Sequence, residues 1–254
     1  GDDRLTALGW LVQTAYLGNL AVRQQKIPVT TVFESLLVLS WILAGITLYF
    51  LLRSPRPVAV GVFLLPVVLA VNLVAGISAP RADWADWGGW VGFWGAVHGV
   101  FLLAGGVASC VAFAAGLMYL VQARRLKHKQ RARFGFTLPS LEQLDRWNRG
   151  AITAAFPLLT CGLILGIAVE LSLRRSAEAM LNWTDPKILS ALVMWIAFAV
   201  LVHARFQPAM RGRRVMILTV VAFAFLAFAW IGVDLLLPTA HGVPRTSSVS
   251  TAPP

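Results

Sequence analysis

The sequence predicts an all-α fold: a polytopic membrane helix bundle of about seven transmembrane helices, N-terminus inside and C-terminus outside. Three observations carry this. The 254 residues are 58% hydrophobic and only 13% charged, and the mean hydropathy of +0.73 is far from that of a water-soluble domain. Apolar runs of about 20 residues recur, each enough to cross a bilayer core as a helix. The basic residues fall unevenly between alternate connections, as they do in membrane proteins.

The expected spans are about 5–22, 32–52, 58–77, 95–122, 151–172, 187–204 and 215–236. Pro28 precedes the second, and "RSPRP" separates the second from the third. Pro66 and Pro157 fall inside spans, where neighbouring helices satisfy the freed carbonyls. Between the fourth and fifth spans, "LPSLEQLDRWNRG" places Ser140 three residues before Gln143, a capping-box spacing. Leu141, Leu144 and Trp147 then recur at helical spacing, so a short helix lying on the inner surface is expected to lead into the fifth span. Asp185 before Pro186 suits an N-cap followed by proline at the first helical position.

Charge sets the direction. With the N-terminus inside, the inner segments hold Arg4, Arg53, Arg56, eight basic residues of 123–149, Arg205, Arg211, Arg213 and Arg214, or 15 of 22. The loop "QARRLKHKQRARFG" decides the matter, because positive loops stay in the cytoplasm. The same bias accounts for a pI near 11.0 without any nucleic-acid partner. No cleavable signal peptide is visible, and the absence of an initiator methionine leads us to expect residues upstream. Residues 1–241 read as one transmembrane domain. The stretch 242–254, "GVPRTSSVSTAPP", is small, polar and proline-rich and is expected to be disordered. Cys110 and Cys161 lie in apolar runs without metal-ligand spacing and read as packing residues.

Four histidines stand out by their scarcity. His98, in "WGAVHGVF", falls at the outer start of the fourth span, and His241 lies just past the last span on the same side. Imidazole is a common metal and haem ligand, though each ring could equally sit at the interface as a snorkelling side chain. His203 falls near the inner end of the sixth span, and ionisable groups at membrane depth are often functional. His128 lies in the basic loop. Trp84, Trp87, Trp90 and Trp94 recur at spacings of three and four. They form either an aromatic belt at the membrane surface or a flat wall for a planar ligand. Trp94 sits one turn before His98 on the same face. No phosphate loop, HExxH or Ser/His/Asp arrangement is present.

Taken in order, these stretches resemble the CcsA/ResC family, the haem-handling membrane proteins of cytochrome c biogenesis. "IPVTTVFESLLVLSW" is similar to the family's P-x-S-N-x-Y-E-S-L-L stretch, with Glu34, Ser35 and Trp41 matching and Phe33 in place of tyrosine. Trp94 and His98 match W-x-x-x-H; "LPSLEQLDR", "DPK", "VHAR", "GRR" and "GVDLLLPTAH" follow in the family's order. Two departures are plain. The family's tryptophan-rich WWD loop, W-G-x-x-W-x-W-D-P-K, is here "EAMLNWTDPK": Glu178, Asn182 and Thr184 hold the tryptophan positions, and Trp183 is displaced by one residue. Gln13 stands where many relatives show histidine.

The resemblance implies haem b as substrate or transported ligand. It implies His98 and His241 as outer haem-iron ligands, His203 as the membrane histidine, and Trp94, Trp183 and Asp185 beside the ring, with Arg174, Arg175 or Lys187 toward the propionates. It implies, as partners, a ResB/CcsB-like membrane protein, apocytochrome c, a thiol-reducing thioredoxin-like protein and membrane lipid. The outer face would then meet a periplasm or an equivalent compartment such as the thylakoid lumen; a bacterial inner membrane is the expected setting, with the chain as part of a holocytochrome c synthase complex. The thinned WWD loop leaves a second implication, a HemX-like accessory protein of the same fold without haem.

Overall fold

The computed structural model describes residues 2–24, 28–29, 31–53, 57–78, 89–129, 138–176, 184–207, 210 and 212–236. Its helices are α1 (Asp2–Gln24), α2 (Val32–Arg53), α3 (Pro57–Ile77), α4 (Gly89–Lys127), α5 (Leu141–Ser176), α6 (Pro186–Phe206) and α7 (Arg213–Ala227). From α7 the chain passes through a π-helical turn, Phe228–Gly232, into a last helical turn, α8 (Val233–Leu236). Among the described residues there is no strand.

Six helices are long and apolar enough to cross a membrane. The first expected span is helical but is not one of them, because Gln13, Thr14, Asn19 and Gln24 lower its hydropathy. Those polar groups have a use in packing. The Gln13 amide donates to the Leu37 carbonyl at 3.1 Å, to the Ser40 hydroxyl, and to Asn72 Oδ1 at 3.3 Å. Ser40 in turn donates to Asn72 Oδ1 at 3.0 Å, so one polar knot joins α1, α2 and α3. Beside it Trp10 and Trp41 stack with centroids 5.6 Å apart, and Trp41 Nε1 donates to Thr14 at 2.7 Å.

The short surface helix and the fifth span prove to be one helix. Leu144, Asn148, Ile152, Ala155 and Leu159 are almost fully buried and follow one another at spacings of four, four, three and four, so a single buried stripe runs through both. Gly150 faces open space and does not interrupt it. At 36 residues, α5 is about 54 Å long by helical rise, well beyond a hydrocarbon core of about 30 Å. Its partner α4 has 39 residues and begins and ends outside the expected 95–122.

The caps follow the sequence signals. Gln143 N–H donates to Ser140 Oγ at 3.2 Å. Lys187 N–H donates to Asp185 Oδ1 at 2.8 Å, with Pro186 at the start of α6. A third cap is a full capping box: Glu34 N–H donates to Thr31 Oγ1 at 3.2 Å, and Thr31 N–H to Glu34 Oε2 at 3.3 Å. Cys110 is buried in the core as a packing residue, whereas Cys161 is exposed on α5.

Candidate functional site

The site begins where α4 and α5 nearly touch. A Cβ on Gly105 would come within 2.8 Å of Leu159, and one on Gly162 within 2.6 Å of Leu102. Small residues allow such an approach between membrane helices. One turn further toward the start of α4, the space beside Gly166 is filled by the His98 ring: a Cβ there would lie 2.6 Å from Cε1 and 3.0 Å from Nδ1. His98 Nδ1 lies 2.7 Å from the Gly162 carbonyl oxygen. A carbonyl only accepts, so Nδ1 carries the proton of this bond. This backbone bond is the arrangement that fixes the tautomer and orientation of metal-ligating histidines.

Trp94 stands one turn before His98. Trp90 and Phe93 meet it edge-on, with centroids 5.4 Å away in each case. Its indole Nε1 is buried and has no hydrogen-bond partner. A buried unsatisfied donor is uncommon, and here it lies beside an oriented imidazole and a half-exposed aromatic cluster. That donor set fits a planar ring carrying a ligatable metal and acidic side groups. His98 would supply the metal ligand, the aromatic rings a cover for the ring, and Trp94 a hydrogen bond. Among the described residues no group of three or more His, Cys, Asp or Glu side chains is placed to hold a bare metal ion.

Asp185 starts α6 at the same end of the bundle, since each connection reverses the chain. It is buried, and the role the structure gives it is the cap on α6. His203 is 18 residues further along α6, about 27 Å by helical rise, and so belongs to the opposite end. Its ring is exposed, and Gln207 Nε2 donates to its Nε2 at 3.1 Å. His98 and His203 therefore serve separate places and cannot share one iron. His241 and Trp183 lie outside the described residues, as do Trp84, Trp87, the side chains of Arg174 and Arg175, and the tail 242–254.

Sequence reasoning missed two features. Gly162 and Gly166, which seat His98, stand at the G-x-x-x-G spacing that permits close helix approach. Arg205 reads as a simple inner-end anchor, but its side chain is 3% exposed and pairs with Asp145 of α5 at 2.9 Å. It also donates to the Asp145 carbonyl at 2.6 Å. No spacing marks this pair, since Asp145 lies beside the buried stripe and Arg205 is 60 residues away in sequence.

Fold and site together define a polytopic helical membrane protein with an oriented histidine and an aromatic cluster at one end of the bundle. The chain belongs to the cytochrome c assembly protein family, whose model matches residues 10–241. It is 26% identical over 249 residues to the cytochrome c biogenesis protein CcsA of Guillardia theta, covering 91% of this chain and 81% of that one. With CcsA of Trieres chinensis it shares 26% over 254 residues, 87% and 78% of the two chains. CcsA of Prochlorococcus marinus (strain NATL1A) is 37% identical over 97 residues, 37% of this chain and 29% of the relative. No solved structure matches. Membership gives the chain a role in cytochrome c biogenesis.

Proposed function

We propose that this protein is the haem-binding membrane subunit of a cytochrome c assembly complex, holding haem b as cargo and presenting it at the outer face for attachment to apocytochrome c. The carrying observation is the His98 ring, seated against Gly166 with Nδ1 bound to the Gly162 carbonyl. His98 and His241 ligate the iron from two parts of the chain, a bis-imidazole arrangement. His203 receives haem at the opposite end. Trp94 donates to a propionate, with Arg174, Arg175 and Lys187 as further partners. The Trp183–Asp185 loop turns the vinyl edge toward a CxxCH segment. The cysteine sulfur then bonds to the vinyl carbon next to the ring, and the thiol proton passes to the terminal carbon. No electrons are lost, so the step needs a reduced thiol but no oxidant. The protein supplies position and redox control; the reactivity is that of haem and thiol. A ResB/CcsB-like protein and a thiol-reducing thioredoxin-like protein complete the machinery in a bacterial inner membrane.

A second reading, a HemX-like accessory protein of the same fold, is favoured by Glu178, Asn182 and Thr184 at the family's tryptophan positions. Absorption spectra of the detergent-purified protein, oxidised and then reduced with dithionite, separate the two. The haem-handling reading expects sharp reduced bands of a six-coordinate haem, weakened by His98→Ala and His241→Ala. A protein that stays haem-free when supplied with haem and its partner establishes the accessory reading. An unchanged six-coordinate spectrum in the His98→Ala/His241→Ala double variant overturns the ligand assignment.

A further inference from the structure

At the end of the bundle away from His98, two cavities lie in line along one face of α4. The first, of about 300 Å³, is enclosed by α2, α3, α4 and α5, and its walls include Phe50, Val60, Leu64, Val111, Met118 and Trp147. Nearly all of that surface is apolar, and one side is open. The second, of about 330 Å³, is lined by Val121, Arg124, Arg125 and His128. Ala114 and Met118 line the first; Val121, Arg125 and His128 line the second. These five residues follow at spacings of four, three, four and three, which is one stripe of a helix. From Ala114 to Arg125 the stripe climbs about 16 Å. An apolar slot and a basic mouth thus stand on one stripe of the same helix. Lys127, Lys129 and Arg53, all exposed, add positive charge at the same end.

We propose that this slot and mouth bind an anionic phospholipid, with an acyl chain between α2, α3, α4 and α5 and the phosphate on Arg124 and Arg125. The shape matches an amphiphile with an apolar body and a negative head. Basic pockets between membrane helices attract such headgroups, each Arg or Lys near the surface contributing about 1 kcal/mol. Haem is the poorer occupant. Among the described residues the slot's lining has no imidazole or thiolate, and its one sulfur is the Met118 thioether. An acyl chain asks only for apolar walls. The lipid would fill the void between the α2–α3 pair and the α4–α5 pair, and so tie the polar knot of α1–α3 to the half that carries His98.

The test uses the full chain in mixed micelles, with dioleoyl phosphatidylglycerol and dioleoyl phosphatidylcholine as probes. Bound lipid is read by native mass spectrometry, and position by quenching of Trp147 with the brominated forms of both lipids. The Trp147 signal is the difference between wild type and Trp147→Phe. Wild type should retain phosphatidylglycerol at least about tenfold over phosphatidylcholine, and brominated phosphatidylglycerol should quench Trp147. Arg124→Gln with Arg125→Gln should remove most of that preference, at about fivefold per arginine. Val111→Trp should block retention of either lipid. Quenching needs only the conservative Trp147→Phe substitution in the slot, so the proposal stays testable even where Val111→Trp fails to fold. Equal retention of the two lipids, an unquenched Trp147, or displacement of bound lipid by equimolar haemin would each overturn it.

Discussion

Adding one methyl group at Gly166 separates a positioning contact from simple packing. In Gly166→Ala the new Cβ would meet His98 Cε1 at 2.6 Å and Nδ1 at 3.0 Å, so the ring has to move. The 2.7 Å bond from Nδ1 to the Gly162 carbonyl cannot survive that movement. Stability should fall by about 1–3 kcal/mol net, because two unequal terms oppose each other. Alanine in place of glycine favours a helix by about 1 kcal/mol, while overpacking and one lost hydrogen bond cost about 2–4 kcal/mol together. Haem affinity should fall as well, because loss of the bond orienting a ligand histidine typically weakens metal binding about 10–100-fold. Gly162→Ala is the control. Its Cβ strikes Leu102 first, at 2.6 Å, rather than the His98 ring. Titration of haemin into each detergent-purified variant, followed by absorption, gives the affinities, and thermal unfolding gives the stabilities. If Gly166→Ala binds haemin as wild type does, or if Gly162→Ala loses as much affinity, the claim that α5 orients His98 is wrong.

Three further outcomes are expected. Asp145→Ala leaves the buried Arg205 without its carboxylate and should destabilise the protein by about 3 kcal/mol. Arg149→Ala, which removes only a largely exposed partner at 3.6 Å, should cost no more than about 0.5 kcal/mol; equal losses in thermal unfolding would remove the distinction. Asp185→Ala should cost about 1 kcal/mol through the lost α6 cap, and Asp185→Asn much less, since asparagine also caps well. Gln13→Leu strips the Leu37 carbonyl, Ser40 and Asn72 of a shared donor and should cost about 1–3 kcal/mol. Faster hydrogen exchange in α1 than in α5 is its expected signature, and uniform exchange would contradict it.

The sequence carried the fold well because membrane burial acts on composition, and composition is visible without coordinates. Apolar length located the helices. The Ser140 and Asp185 caps depend on local chemistry and were legible for the same reason. What was missed depended on which face of a helix finds a partner. The first expected span forms its helix, but that its polar residues face α2 and α3 is not legible in the sequence. The surface helix merges with α5 because Leu144 and Asn148 continue a stripe whose partner is α4. That partner is a tertiary fact, and periodicity in α5 alone does not name it.

The site divides along the same line. His98 and Trp94 could be singled out by residue type and spacing, yet their chemistry rests on what α5 lacks. Two missing side chains, at Gly162 and Gly166, let an imidazole reach a helix carbonyl and fix which nitrogen carries the proton. That contact holds the ring in one tautomer, whereas an exposed histidine such as His203 depends on a single amide, Gln207, four residues away on its own helix. With about 27 Å of α6 between the level of Asp185 and His203, the two ends of the bundle cannot hold one ring between them. The two rings therefore differ in how they are held as well as in where they stand: glycines of the neighbouring helix orient His98, and a residue of its own helix holds His203.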